Sequence, residues 1–486
     1  MSIIRALTNP TKIICTIGPA SDELSIVQAM IESGMDLARL NFSHGSHSDH
    51  EHMLKTVRKA AEKTGEQIGI IADLQGPKIR TGDLINGGPV TLEEGRQIEI
   101  VSDPHKEGTA ERIYTTYDAL SDDVNPGDRV LLDDGRLEIS VQQVGDGIIS
   151  GTVEVGGELG EYKGMNLPGV EVSARPLTAK DKEDLAFALE HGVDYLALSF
   201  VRTADELFEL REACEARGCS VPIIAKLERP EALDELEAIC QAADVIMVAR
   251  GDLGVELAPE QVPVWQKRII RLCSELRVPV ITATQMLDSM RNNPQPTRAE
   301  ASDVANAIFD GTDAVMLSGE TAIGKYPVQT VTMMRRICAT AEREQMLERG
   351  AKRTELRVSE EQVSIADAVV RSAVAAAERV EANALVAFTE SGSTARMASK
   401  CRPSLPIIAV TPIAATARRC SLFWGVTPVH TERAAGTEED IVRCVDELQE
   451  LGMLSEGDIV VIMAGQPMGR PGTTNSMRIH RVGVDL

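Results

Sequence analysis

Residues 222–252 read PIIAKLERPEALDELEAICQAADVIMVARGD. The stretch opens on the run PIIAKL, starting at Pro222, and closes on the run DVIMVAR, starting at Asp244. Continuous apolar runs of this length suit strands covered on both faces. The segment between them, 231–242, predicts a helix. Strand, helix and strand within about thirty residues make one parallel βαβ unit. The charged groups of the stretch, Lys226, Glu228, Arg250 and Asp252, gather where each run ends.

The same pattern extends in both directions. Runs begin at Lys12 (KIICTIG), Asp36 (DLARLN) and Gly69 (GIIADL), and again at Asp194 (DYLALSF), Pro279 (PVITAT) and Asp313 (DAVMLSG). With the two runs already quoted there are eight. Helical segments are predicted between them, among them 179–190 and 204–217. Eight parallel strands alternating with helices give a (β/α)8 TIM barrel, with a doubly wound open sheet as the alternative.

The alternation breaks between Gln75 and about Val172. Asp133-Asp134-Gly135 and Gly145-Asp146-Gly147 separate alternating segments such as RVLLD, RLEISV and IISGTV. Asp-Gly pairs supply the positive φ of hairpin turns. An inserted all-β lid follows, with no convincing helix inside it. After Glu342 a charged stretch, EREQMLERGAKRTELRVSEEQ, reads as a linker or exposed helix. Beyond it a helix over 364–380 and strands at 384–388, 406–410 and 458–463 predict a smaller open-sheet α/β domain. The expected division is 1–73 with 173–345 for the barrel, 74–172 for a β-barrel lid, and 346–486 for the C-terminal domain.

Composition excludes some partners. The 486 residues carry a formal net charge of -24, and only 3% are aromatic. Nucleic-acid binding needs a basic footprint that this chain lacks, so no nucleic-acid partner is expected. Anionic lipid would repel it, and no apolar run is long enough to span a bilayer, so no membrane partner is expected. Nine cysteines occur without a Cys-x-x-Cys pair, which suits free thiols in the cytoplasm.

Barrel chemistry collects at the C-terminal ends of the strands. The groups leaving them are Arg39, Asn41, Ser43 and His44; Asp73, Lys78 and Arg80; Ser199; Lys226 and Glu228; Arg250, Gly251 and Asp252; Thr284 and Gln285; Ser318, Gly319 and Glu320. Glu228 and Asp252 leave neighbouring strands, so both could reach one Mg²⁺, a hard ion that takes oxygen ligands and keeps water. Alternation puts Lys226 on the same side as Glu228. An ammonium beside Mg²⁺ suits a phosphoryl group in transfer or an enolate. A belt of structural salt bridges is the competing explanation.

The motifs ICTIGPAS, ARLNFSHG, DLQGPKIRTG, KGMNLPG, IIAKLER, MVARGDLGVE, ATQMLDSM and PTRAEASDVANAIFDGTDAVMLSGETAIGKYP resemble the pyruvate kinases, in order and over essentially the whole chain. That resemblance implies phosphoryl transfer from phosphoenolpyruvate to ADP, a homotetramer and a phosphorylated allosteric effector. It implies catalytic roles for Lys226, Thr284 and Arg39, with Arg39, Lys226, Gly251, Asp252 and Thr284 binding substrate. It implies one Mg²⁺ on Glu228 and Asp252 and another arriving with the nucleotide. Nucleotide contacts would come from Asn41, His44, Arg80 and the lid residue Lys163.

One departure bears on the cofactors. Many members of that family require K⁺ and read Asp-Thr-Lys-Gly-Pro-Glu where this chain reads Asp73-Leu74-Gln75-Gly76-Pro77-Lys78. Asn41, Ser43 and Asp73 match monovalent-cation positions; Leu74 replaces the threonine of the fourth, and Lys78 replaces the glutamate nearby. The expectation is that the Lys78 ammonium supplies the charge of K⁺, which is then dispensable. The alternative is a merely solvated lid lysine.

Other patterns are weaker. Gly319-Glu-Thr-Ala-Ile-Gly-Lys325 imitates a phosphate loop, but Tyr326 stands where Ser or Thr must be. His47, His50 and His52 crowd near a helix start and are expected to be surface residues rather than zinc ligands. Thr389, Ser391, Gly392, Ser393 and Thr394 join a strand to a helix and could hold a phosphate, faced by a loop carrying Arg470; a plain helix cap is the alternative. By the resemblance this is the effector loop, and Glu390 and Ser393 favour a sugar monophosphate or nucleotide over a bisphosphate. Two further readings remain at this point: a Mg²⁺-dependent lyase forming a pyruvate enolate, and an inactive sugar-phosphate sensor.

Overall fold

The computed structural model describes residues 10–103, 106–351, 364–431, 438–465 and 473–484. Each of the eight apolar runs forms a strand. They are β1 Lys12–Thr16, β2 Leu37–Asn41, β3 Gly69–Asp73, β4 Tyr195–Leu198, β5 Ile223–Leu227, β6 Val245–Ala249, β7 Val280–Ala283 and β8 Ala314–Leu317. All neighbours pair in parallel, and the ladder closes between β1 and β8. The open doubly wound sheet is therefore excluded.

Period-two alternation sorts the strand residues into two cores. Ile13, Cys15, Ala38, Leu40, Ile70, Ala72, Ala225 and Ile246 pack outward against the helices. Ile14, Leu37, Ile71, Ala197, Ile224, Met247 and Ile281 fill the interior. Two residues further along the same inward face come Thr16, Arg39, Asp73, Ser199 and Lys226. The lower layers of the barrel are thus apolar, and its mouth is polar.

The lid leaves after β3 and returns before β4. Its tight turns have the expected chemistry: Asp133, Asp134 and Gly135 have φ of 49°, 58° and 81°, and Asp146 and Gly147 have 52° and 76°. The expected β-barrel is not one closed ladder. Six strands pair in one open sheet, and Val90–Leu92 pairs separately with Gly157–Leu159. Register shifts at Glu138/Ile139 and Val141/Gln143 interrupt the longest hairpin, while one apolar core, including Ile98, Val130, Ile139 and Val153, holds the strands together. The lid also contains two short helical turns, Ile85–Gly87 and Leu120–Asp123.

The charged stretch after Glu342 continues a helix, Pro327–Ala351; the rest of it lies outside the described residues. The C-terminal domain has five strands: β9 Ala384–Phe388, β10 Ile407–Thr411, β11 Val426–His430, β12 Ile459–Gly465 and β13 Thr474–Arg481. Their order is β11-β10-β9-β12-β13, with only the β12/β13 pair antiparallel. Two of these were not expected. Pro428 interrupts the β11 run, and β13 is a polar edge strand with little apolar signal.

This domain docks under the barrel floor through buried charge. Asp194, just before β4, accepts the Ile70 N–H at 2.9 Å and pairs with Arg58 and Arg418, each at 2.8 Å. Asp313, just before β8, accepts the Val280 N–H and pairs with Lys400 and Arg402, each at 2.8 Å. Gly69 permits a close approach, since a Cβ there would meet the Arg418 carbonyl at 2.9 Å. All nine cysteines are free thiols. No described helix is long and apolar enough to cross a membrane.

Candidate active site

Lys226 lies at the centre of the barrel mouth, 8% exposed. Its Nζ donates to Ser199 Oγ at 2.6 Å and lies 3.2 Å from Asp73 Oδ1 and 3.0 Å from Glu228 Oε1. Burial works against its charge. The carboxylates of Asp73 and Glu228 outweigh that and hold its pKa above the ordinary lysine value. Asp73, fully buried, shows the reciprocal effect: burial opposes ionisation, but Lys226 and Arg39 hold its pKa below the carboxylate range. Arg39 Nε donates to Asp73 Oδ2 at 2.6 Å, and its Nη1 donates to Thr16 Oγ1 at 3.0 Å. Two cations are thereby held in place at the mouth by buried ion pairs.

Glu228 is 2% exposed. Its Oε2 accepts the Phe200 N–H at 2.7 Å, from a residue with a φ of 57°. Burial raises the Glu228 pKa; Lys226 opposes that, while Asp252 adds to it. Asp252 lies in the first turn of the helix Arg250–Glu256, and its Oδ1 accepts from Lys78 Nζ at 3.1 Å. The donors available are hard carboxylate oxygens, that of Glu228 just after β5 and that of Asp252 in the helix following β6, the first of them buried. They fit a divalent cation that completes its shell with water and substrate oxygens. No cluster of three or more His, Cys, Asp or Glu suited to a metal exists among the described residues.

The Gly251 N–H donates to Thr284 Oγ1 at 2.7 Å. Gly251 also keeps that approach open, because a Cβ would meet Thr284 Oγ1 at 3.3 Å. Thr284 and Gln285 have φ of 70° and 53°, a conformation that non-glycine residues hold at some cost. Arg250 is held by its neighbours: its Nη2 donates to the Thr284 carbonyl at 2.9 Å, and its Nη1 lies 2.7 Å from Asp303. It therefore braces the Thr284 turn. Beside these residues opens a cleft of about 590 Å³, lined by Lys78, Asp134, Gly251, Asp252, Thr284 and Gln285 among others.

The lid reaches the same mouth. Lys163 pairs with Asp133 at 2.9 Å, and Arg80 donates to the Tyr162 carbonyl at 3.0 Å, both inside the lid. Partial burial, then the charges of Arg80, Lys78 and Arg39, push the His44 imidazole below its usual pKa. At the monovalent-cation positions, Asn41 Oδ1 accepts the Ser43 N–H at 3.2 Å. The Asp73 carboxylate is engaged by Arg39 and Lys226, and Leu74 offers a fully buried alkyl chain instead of an oxygen. Lys78 lies 5.9 Å from the Phe200 ring centroid in addition to its bond with Asp252.

Some expected residues have other roles. His50 is not on the surface: it is 2% exposed, stacks on Phe42 at 4.0 Å and bonds the His44 carbonyl at 3.0 Å. His47 pairs with Asp184 at 2.7 Å. His47 and His52 are exposed, as expected; only His50 departs, because a polar helix start gives no sign of what packs over it. Glu320 is buried and caps the Ser318 and Leu287 N–H groups, a structural task. Thr16 and the Phe200 N–H were missed. The strand-end rule applied to β1 would have found Thr16; nothing in sequence marks the backbone donor.

In the C-terminal domain, Gly392 has a φ of 85° and opens the helix Ser393–Lys400. Thr389 Oγ1 accepts the Gly392 N–H at 2.9 Å, and Thr394 Oγ1 bonds Thr474 Oγ1 at 2.7 Å. Those two hydroxyls shape the loop, leaving the Ser391 and Ser393 hydroxyls bonded to each other at 3.1 Å near the surface. Arg470 lies outside the described residues.

Comparison with known proteins bears on this arrangement. Residues 8–331 match the model of the pyruvate kinase barrel domain, and residues 367–480 match that of the pyruvate kinase alpha/beta domain. Pyruvate kinases of Staphylococcus epidermidis and Staphylococcus aureus are 46% identical over 479 residues, 98% of this chain and 81% of theirs. A crystal structure of a pyruvate kinase from Cryptosporidium parvum superposes with a TM-score of 0.89 at 37% identity, covering 99% of this chain and 98% of that one.

Proposed function

The chain belongs to the pyruvate kinase family, phosphotransferases that convert phosphoenolpyruvate and ADP into pyruvate and ATP, and we propose that the barrel mouth divides that reaction among its residues as follows. The observation that carries the reading is Lys226, buried and charged between Asp73 and Glu228. Arg39 and Lys226 bind the phosphoryl group. Attack by an ADP phosphate oxygen breaks the bond between phosphorus and the enol oxygen of phosphoenolpyruvate. Lys226 faces the charge left on that oxygen, which a pre-oriented ammonium stabilises better than mobile water. The Gly251 and Asp252 backbone with Thr284 holds the substrate carboxylate. Thr284 orients the water that protonates the enolate carbon.

Glu228 and Asp252 are the residues that would hold Mg²⁺. When bound there, it supplies positive charge to substrate oxygens, and the nucleotide arrives with its own Mg²⁺. Lys78 and Lys226, which neutralise these carboxylates here, yield part of that role. Asn41, His44 and Arg80 contact the nucleotide, and closure of the lid brings in Lys163 and excludes water. The absence of an oxygen at Leu74 and the charge of Lys78 support K⁺ independence. The turn at Thr389–Thr394 supports a phosphorylated regulator, a sugar monophosphate or a nucleotide, and the family supports a cytoplasmic homotetramer.

A coupled assay of ATP formed from phosphoenolpyruvate and ADP, with and without Mg²⁺, tests the central assignment. Lys226→Met should keep the fold and lower kcat by about 10² to 10³. Undiminished ATP formation in that variant would remove Lys226 from the chemistry.

A further inference from the structure

Behind the two carboxylates lies a buried cross-domain contact that no step above uses. Asn166 ends the last lid strand, Met165–Asn166, and Glu256 ends the helix Arg250–Glu256. The Asn166 Nδ2 donates to Glu256 Oε1 at 2.9 Å. The two residues are 7% and 9% exposed. Burying a carboxylate against a neutral amide is costly unless a cation also faces it. Burial does raise the Glu256 pKa, and Arg229 is the main group acting against that.

Arg229 follows Glu228 directly and is 6% exposed. Its guanidinium lies 5.8 Å from the centroid of Phe200, whose N–H holds Glu228. Its Nη1 finds no hydrogen bond among the described residues, and the nearest carboxylate oxygen at Glu231 is 3.8 Å away. Glu256 stands one helical turn beyond Asp252. One buried carboxylate therefore receives a donor from the lid, and it sits on the helix that carries Asp252.

We propose that Asn166 and Glu256 are positioning residues that join the base of the lid to the helix carrying Asp252, and so fix where Asp252 stands relative to Glu228 for a divalent cation. The inference rests on the reading that those two carboxylates hold the metal. A tie that only stabilised the fold would lower Tm and leave metal affinity untouched. A positioning tie changes affinity, because small displacements of an oxygen ligand are felt directly by a small ion.

Calorimetric titration of the full chain with Mn²⁺ as probe separates these. Glu256→Ala and Asn166→Ala should each weaken Mn²⁺ binding about tenfold or more. The double variant should be no weaker than the worse single, since both break one connection. Glu256→Gln keeps an oxygen for Asn166 and should recover most of the affinity. Asp252→Asn is the control. If it binds Mn²⁺ as tightly as the wild type, the metal assignment fails and takes this inference with it. If it loses Mn²⁺ while Glu256→Ala and Asn166→Ala match wild type, the inference alone fails, whatever their Tm. Should the alanine variants not fold, Asn166→Ser carries the same expectation, and wild-type affinity there overturns it.

Discussion

Lys78 is the residue on which the proposed K⁺ independence turns. The Leu74 side chain is fully buried and cannot ligate a cation. The Lys78 ammonium lies 3.1 Å from Asp252. A tethered charge costs less to organise than an ion recruited from solution. Initial rates should therefore be nearly equal in K⁺, Na⁺ and tetramethylammonium, and Lys78→Glu should acquire a requirement for K⁺. A large saturable activation of the wild type by K⁺ would sink the assignment. Residues such as Lys78, Lys226 and Glu228 were legible because charge at a strand end is unusual. Asn166 and Glu256 were not, being ordinary residue types 90 positions apart that only the fold brings together.

At the scale of elements, continuous apolar runs were readable as barrel strands because both faces of each are covered. β11 and β13 escaped because Pro428 breaks one pattern and solvent on one side dilutes the other. The helix Pro327–Ala351 was half seen, since its charged end carries no apolar stripe. Within it, Glu342 is 3% exposed and accepts the Thr11 N–H at 2.5 Å. Burial raises its carboxyl from 4.5 to about 7 despite Thr11, Arg335 and Arg402. A raised folded-state pKa means the native helix favours the protonated form. Its contribution is full below about pH 4.5, shrinks as pH rises to about 7 and is then gone, a swing of about 3 kcal/mol. Glu342→Gln should mimic the protonated acid, matching wild-type Tm near pH 5 and exceeding it at pH 8. Parallel Tm curves for the two proteins between those values would rule this out.

For the whole molecule, the net charge of -24 means that anionic substrates must be drawn in by a local field, which Arg39, Lys78, Arg80, Lys163 and Lys226 provide at the mouth. The opposite end of the barrel is closed by the C-terminal domain, and there the two units share one apolar cluster. It runs from Ile71, Tyr195 and Ile224 in the barrel to Leu385, Ile407, Cys420 and Leu422 below it. Continuity of that core predicts that barrel and C-terminal domain unfold together. Asp313 is the polar clamp on the same boundary, holding Lys400, whose side chain is 2% exposed, and Arg402. Asp313→Ala leaves the Lys400 ammonium buried without its partner, which should cost about 3–5 kcal/mol. Lys400→Met should cost less, because Asp313 keeps Arg402 and the Val280 N–H. Differential scanning calorimetry should then show one transition for the wild type and two for Asp313→Ala, the C-terminal domain melting first. Two separated transitions already present in the wild type would mean that the shared core does not couple the domains.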